Sequence, residues 1–166
     1  MRFFQFCVGK SRNQIDSHRM AKIVPLISSG TAGPLGILHL PRLWLKALLG
    51  ATGMLADGYS DVGPGYDFML LEAIGIDPED ARTFIHSEKP SYPEFEKWIA
   101  TYPGVKLDAA TIDAVNAAII GYNHTDPIRQ SILSASGIPD DGSILDAINL
   151  NNLDDWNATH AALKGS

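Results

Sequence analysis

Between Leu38 and Leu49 the chain runs Leu38-His39-Leu40-Pro41-Arg42-Leu43-Trp44-Leu45-Lys46-Ala47-Leu48-Leu49, and this stretch limits the fold more than any other. Proline suits the first turn of a helix, where its missing N–H leaves no bond unmade. After Pro41 almost no polar face remains, and a helix apolar nearly all round must be buried among other elements. Only Arg42 and Lys46 interrupt it. They are four residues apart and share a face, and His39 extends that stripe three residues earlier. Cations at the N-terminal end of a helix meet the positive end of its dipole, so this group requires a counter-anion. An acidic side chain of the same chain supplies it, or a bound ligand does.

The surrounding composition sharpens that question. The 166 residues carry 13 Lys and Arg against 19 Asp and Glu, a net charge of −6. An acidic chain lacks the basic stripe that nucleic-acid binding requires. Residues 1–19 hold Arg2, Lys10, Arg12 and Arg19 against Asp16 alone, so the remainder is more acidic than the whole. Cys7 is the single cysteine, which rules out an internal disulfide and any zinc site built on several cysteines. A reduced, cytoplasmic setting is expected. No stretch approaches the roughly 20 apolar residues of a membrane span, so no membrane partner is expected. Met20-Ala21-Lys22 has the character of an alternative start. Residues 1–19 are expected to form a disordered tail, and residues 20–166 a single helical domain.

Capping chemistry sets out the other elements. Lys22 to Leu26 is short enough for a strand or an extended arm, and Ser28 to Gly36 is a glycine- and hydroxyl-rich loop feeding the organising helix. Gly50 to Gly65 is a long, glycine-rich connection. A helix over Tyr66 to Ile74 ends at Gly75, a left-handed cap residue with Ile76 as its apolar contact. Asp77 caps the next helix with Pro78 at its first position. Ser91 and Glu94 have capping-box spacing, and Phe95, Trp98, Ile99 and Tyr102 follow on one helical face with Tyr92, a core stripe. Asp108 opens a helix whose inner face holds Ile112, Val115 and Ile119; Asn116 beside them needs hydrogen-bond partners if buried. Gly121 to Pro127 is a corner, with Asn123 suited to a left-handed cap and Asp126 to an N-cap. Gly137-Ile138 repeats the Gly75-Ile76 cap. Asn152 suits the N-cap of a last helix whose stripe is Leu153, Trp156, His160 and Leu163. Strand signals are scarce, so the expected class is all-α: a compact single-domain bundle of about seven short helices joined by capped turns, with little or no β.

Leu40-Pro41-Arg42 with Lys46, then Tyr66-Asp67 and Leu70-Leu71, then Gly75-Ile76-Asp77, resembles a bacterial domain-of-unknown-function family, DUF5069. The resemblance runs from about Met20 to Leu163, more loosely after Trp98, and leaves residues 1–19 outside. It implies a small soluble bacterial protein and assigns no activity, cofactor or catalytic residue.

Two constellations are candidates for chemistry. Arg42 could hold a carboxylate or phosphate through its planar fork, with Lys46 adding a point charge and His39 beside them. The glycine-rich loop before the helix could add backbone N–H groups. The competing arrangement is an internal ion pair of Arg42 with Asp67, since buried charges are usually paired. The second constellation is Tyr122, Asn123 and His124 at the corner, a phenol, an amide and an imidazole suited to orienting a polar substrate. Either His39 or His124 could act as acid or base. His39, His124 and His160 lack the spacing of metal ligands, so no metal is expected and no cofactor is called for. A serine or cysteine nucleophile has no motif behind it. The expectation is a helical protein that binds, or turns over, a small anionic or polar metabolite at the start of the 40–50 helix. The alternative is a non-catalytic structural or protein-interaction module with Arg42 paired internally to Asp67. A homo-oligomer is compatible with either.

Overall fold

Helix α1 (Leu40–Ala51) forms on the stretch that sequence singles out, and the other elements gather round it in the computed structural model, which describes residues 22–165. Leu40, Leu43 and Ala47 are fully buried. They meet Leu70 and Leu71 of α2 (Tyr66–Ala73), Ala81 and Ile85 of α3 (Pro78–Glu88), and Phe95 and Ile99 of α4 (Tyr92–Thr101). Val115 and Ile119 of α5 (Ala109–Gly121) and Ala147 of α7 (Ala147–Lys164) complete the core. Helix α6 (Asp126–Ala135) packs on α7 and adds buried Leu133. A fully buried leucine or isoleucine contributes about 1.5–3 kcal/mol, so this cluster is the main stabilising term. The class is all-α: among the described residues there are seven helices and no strand, only isolated bridges. None of these helices is long and apolar enough to cross a membrane.

The local signals explain most boundaries. The Asp77 carboxylate accepts from Glu79 N, the Asp108 carboxylate accepts from Thr111 N, and the Glu94 carboxylate accepts from Ser91 N at 2.8 Å. Gly75 has φ +82°, and Ile76 N–H closes back on Leu71 O at 2.8 Å; Gly137 and Ile138 repeat the arrangement onto Leu133 O. Phe95 of the aromatic stripe is fully buried, and Trp98 stacks on Phe84 at 4.7 Å. Residues 22–26 form an arm with a single parallel bridge, Ile23 to Leu55. Asn116 finds its partners in the loop before α1, accepting from Leu38 N at 2.9 Å and donating to Gly36 O at 2.8 Å.

Four local expectations are corrected. Thr125, not Asp126, is the N-cap of α6, because Asp126 already begins the helix ahead of Pro127. Helix α7 starts six residues before the Asn152 boundary: Asp146 caps it, accepting from Asn149 N at 2.8 Å. The stripe of Leu153, Trp156, His160 and Leu163 is not the inner face of α7; Trp156 is 59% and Leu163 74% exposed, and Ala147, Leu150 and Asp155 point inward. Asn123 does not take the left-handed region, and instead bridges Asp146. The expected tail over residues 1–19, with Cys7, lies outside the described residues.

Candidate functional site

Arg42 is buried, 5% exposed, and its counter-anion is Asp155 of α7 rather than Asp67. The guanidinium grips Asp155 through both terminal nitrogens, at 2.5 and 3.0 Å, and Nη1 also donates to Pro25 O and Ile27 O. Tyr59 donates its hydroxyl to the same carboxylate at 2.9 Å. A planar fork with several donors suits this task in a way that lysine does not. The Arg42–Asp155 pair therefore clasps the N-terminal arm, the 50–65 connection, α1 and α7.

Asp67 serves the other two cations of the stripe. Its carboxylate accepts from Lys46 Nζ at 2.5 Å and from Gly63 N at 2.9 Å, and it pairs with His39 Nε2 at 2.8 Å. Burial alone would raise the Asp67 carboxyl, but the hydrogen bond from His39 and the charge of Lys46 outweigh it and hold the group below its ordinary value. Asp67 therefore stays ionised. Burial is also the largest influence on His39, and it holds the imidazole below its ordinary 6.5 despite the pull of Asp67. His39 is thus neutral near neutral pH. The carboxylate at Nε2 assigns the tautomer: the proton sits on Nε2, and Nδ1 carries a bare lone pair. Among the described residues that Nδ1 has no hydrogen-bond partner, although the residue is only 2% exposed. His39 also stands at φ +67°, one of two described non-glycine residues at positive φ. A left-handed non-glycine residue costs about 1–3 kcal/mol and recurs at functional sites. Here the strained turn carries the chain into α1 while His39 reaches Asp67.

These groups open onto one cavity of about 370 Å³, at the small end of the ~300–1,000 Å³ typical of ligand sites. His39, Arg42, Lys46, Asp67, Tyr122 and His124 all line it. The two constellations, more than 70 residues apart in sequence, thus meet in one place. Asn123 does not line it. Nor does the Ser28–Gly36 loop: Gly33 instead leaves room for the Tyr92 hydroxyl and the Glu96 carboxylate, which a Cβ there would overlap. One wall is a run of rings, His39 to Tyr66 at 5.0 Å, Tyr66 to Tyr122 at 5.2 Å and Tyr122 to His124 at 5.9 Å. The Tyr66 phenol is pushed up to about 12, first by burial and then by the nearby Asp146 charge, and it donates to Ile119 O. His124 Nε2 pairs with Asn151 Oδ1 at 2.8 Å.

Sequence reasoning missed Tyr59, Ser60, Asn151 and Asp154, which also line it. Asp154 and Asp155 are adjacent carboxylates on a helix otherwise short of charge, a signal that two environments are being built there. Among the described residues no group of three or more His, Cys, Asp or Glu is arranged to hold a metal ion. The arrangement can take up a proton at His39 Nδ1 and stabilise the resulting imidazolium with Asp67, the logic by which a carboxylate orients a catalytic imidazole.

The neutral state of His39 has a thermodynamic consequence. Its folded pKa lies below the unfolded one, so the unfolded state binds more protons between the two values. Stability should be full above about pH 6.5 and fall as the pH drops below it, with a slope of at most about 1.4 kcal/mol per pH unit. Urea unfolding between about pH 7.5 and 5 is expected to show this slope in the wild type and a flatter one in His39→Gln. Identical slopes would mean that His39 is not the group held neutral.

No protein-family model matches the chain, and no curated protein matches its sequence.

Proposed function

We propose that the protein binds a small polar metabolite in the cavity at the start of α1, with His39 positioned to take a proton from it. The observation that carries this reading is the unpartnered Nδ1 of a buried, strained, carboxylate-oriented histidine lining a cavity. A buried polar atom left without a partner costs about 1–3 kcal/mol, and a ligand hydroxyl or N–H would remove that penalty. Arg42, Lys46 and Asp67, three of the residues that carry the family resemblance, line the same cavity. The single cysteine favours a cytoplasmic protein, and the family resemblance a bacterial one.

A thermal-shift screen of sugars, amines, carboxylates and phosphates should yield a stabilising class. Ser60→Trp tests where it binds: Ser60 lines the cavity and is exposed, so the large side chain enters the cavity without disturbing the core. The variant should melt like the wild type and lose the ligand response. A response that survives Ser60→Trp, or no hit across the panel, contradicts the reading.

A second reading, a protein-interaction module, is favoured by one observation. Trp156 stands 59% exposed on the outer face of α7. In that case light scattering or pull-down should reveal an oligomer or partner lost on Trp156→Ser.

A further inference from the structure

We propose that the ligand of this cavity is a small organic cation, an amine carried as its ammonium form, and not the anion that Arg42 and Lys46 first bring to mind. The inference rests on the cavity being a ligand site, as proposed above, and names the class of molecule it takes.

The fixed charges around the cavity come in matched pairs with one left over. Arg42 is committed to Asp155 and two backbone carbonyls. Lys46 is committed to Asp67. Among the described residues the side chain of Asp154, which lines the same cavity, has neither a hydrogen bond nor an ion pair. Asp154 is an exposed residue of α7, and its carboxyl is held above its ordinary value, first by desolvation and then by the Asp155 charge beside it, against the opposing charges of Arg42 and His124. An incoming carboxylate or phosphate would therefore find Arg42 and Lys46 already committed and the Asp154 carboxylate in its way. An ammonium group would give Asp154 the partner it lacks.

The walls favour the same charge. Tyr59, Tyr66 and Tyr122 are among the lining residues, and aromatic faces attract cations. His39 also lines the space, and its buried Nδ1 is an acceptor without a partner that an N–H donor could satisfy if the ring turns or the cavity opens to it. At longer range the chain's net charge of −6 draws cations and repels anions.

NMR titration of the full chain with n-butylammonium, butyrate and butan-1-ol, three probes of one size and three charges, decides the matter. The ammonium probe is expected to bind most tightly and to shift the His39 and His124 ring signals. Asp154→Asn should weaken it by about fivefold, the worth of a partly shielded ion pair, and Asp154→Glu should restore most of that loss. Tighter binding of butyrate or butanol at the same ring signals, or unchanged ammonium affinity in Asp154→Asn, would overturn the cation assignment while leaving the cavity as a ligand site. Failure of all three to move the ring signals would count against the cavity reading as well.

Discussion

Replacing Arg42 by alanine is expected to destabilise the protein by about 3–5 kcal/mol, the usual consequence of leaving a buried charge without its partner. Asp155 is 2% exposed and would keep only the Tyr59 hydroxyl, while Pro25 O and Ile27 O would lose their donor. Domains of this kind are stable by only about 5–15 kcal/mol in total, so the variant should unfold at much lower urea and accumulate poorly. Replacing both partners, Arg42→Met with Asp155→Leu, should recover most of the loss, because a buried ion pair is weak evidence for net stability. Arg42→Lys should recover little, since one ammonium cannot span the carboxylate and two carbonyls. Urea unfolding of the three variants checks this, and a loss under about 1 kcal/mol for Arg42→Ala, the range of a surface pair, would remove Arg42 as the clasp.

Asp67→Asn should destabilise by a similar amount, about 3 kcal/mol, and should also abolish ligand binding. The amide is close to the same shape but carries no charge. Lys46, 12% exposed, would lose its ion pair, and Gly63 N would face a neutral acceptor. His39 would lose the carboxylate that assigns its tautomer. Acid unfolding gives an independent reading. The folded Asp67 carboxyl titrates below its ordinary 3.8, so its contribution is present above that pH and lost as the pH falls through the lower folded value. The wild type should therefore show an acid transition below about pH 4 to which Asp67 contributes, and Asp67→Asn should lack that part. A variant as stable as the wild type that still binds ligand would contradict the assigned role.

Much of this was legible because the signals are local. Asp77, Glu94 and Asp108 accept, through side chains, from N–H groups two or three residues away at helix starts, and Gly75 and Gly137 end helices with positive φ that any reader of turns would expect. Burial of α1 followed from its composition alone. The grouping of His39, Arg42 and Lys46 on one face was legible from spacing, and Tyr122 and His124 were legible as a polar corner. What joined the two was not. Arg42 and Asp155 are 113 residues apart, and no pattern in the sequence pairs them. Asp67 was the nearer acid on a neighbouring buried helix, and it is indeed the partner of that stripe, but of Lys46 and His39. The start of α7 was misplaced because Asp146 sits at the end of a turn-rich segment and Asn152 offers a second plausible cap. That shift also turned the inner face of α7, hiding Asp155 and exposing Trp156. The left-handed backbone of His39 has no sequence signature, because it depends on the loop ahead of it being held by Asn116.

Nitrogen NMR of the His39 ring is the sharpest test of the proposal that a neutral imidazole with an unpartnered Nδ1 serves a ligand in this cavity. Near neutral pH the His39 signals should show a protonated Nε2 and a bare Nδ1, and a cavity ligand should shift Nδ1 far more than Nε2. A charged ring, the opposite tautomer, or a ligand that binds while leaving Nδ1 unmoved would contradict it.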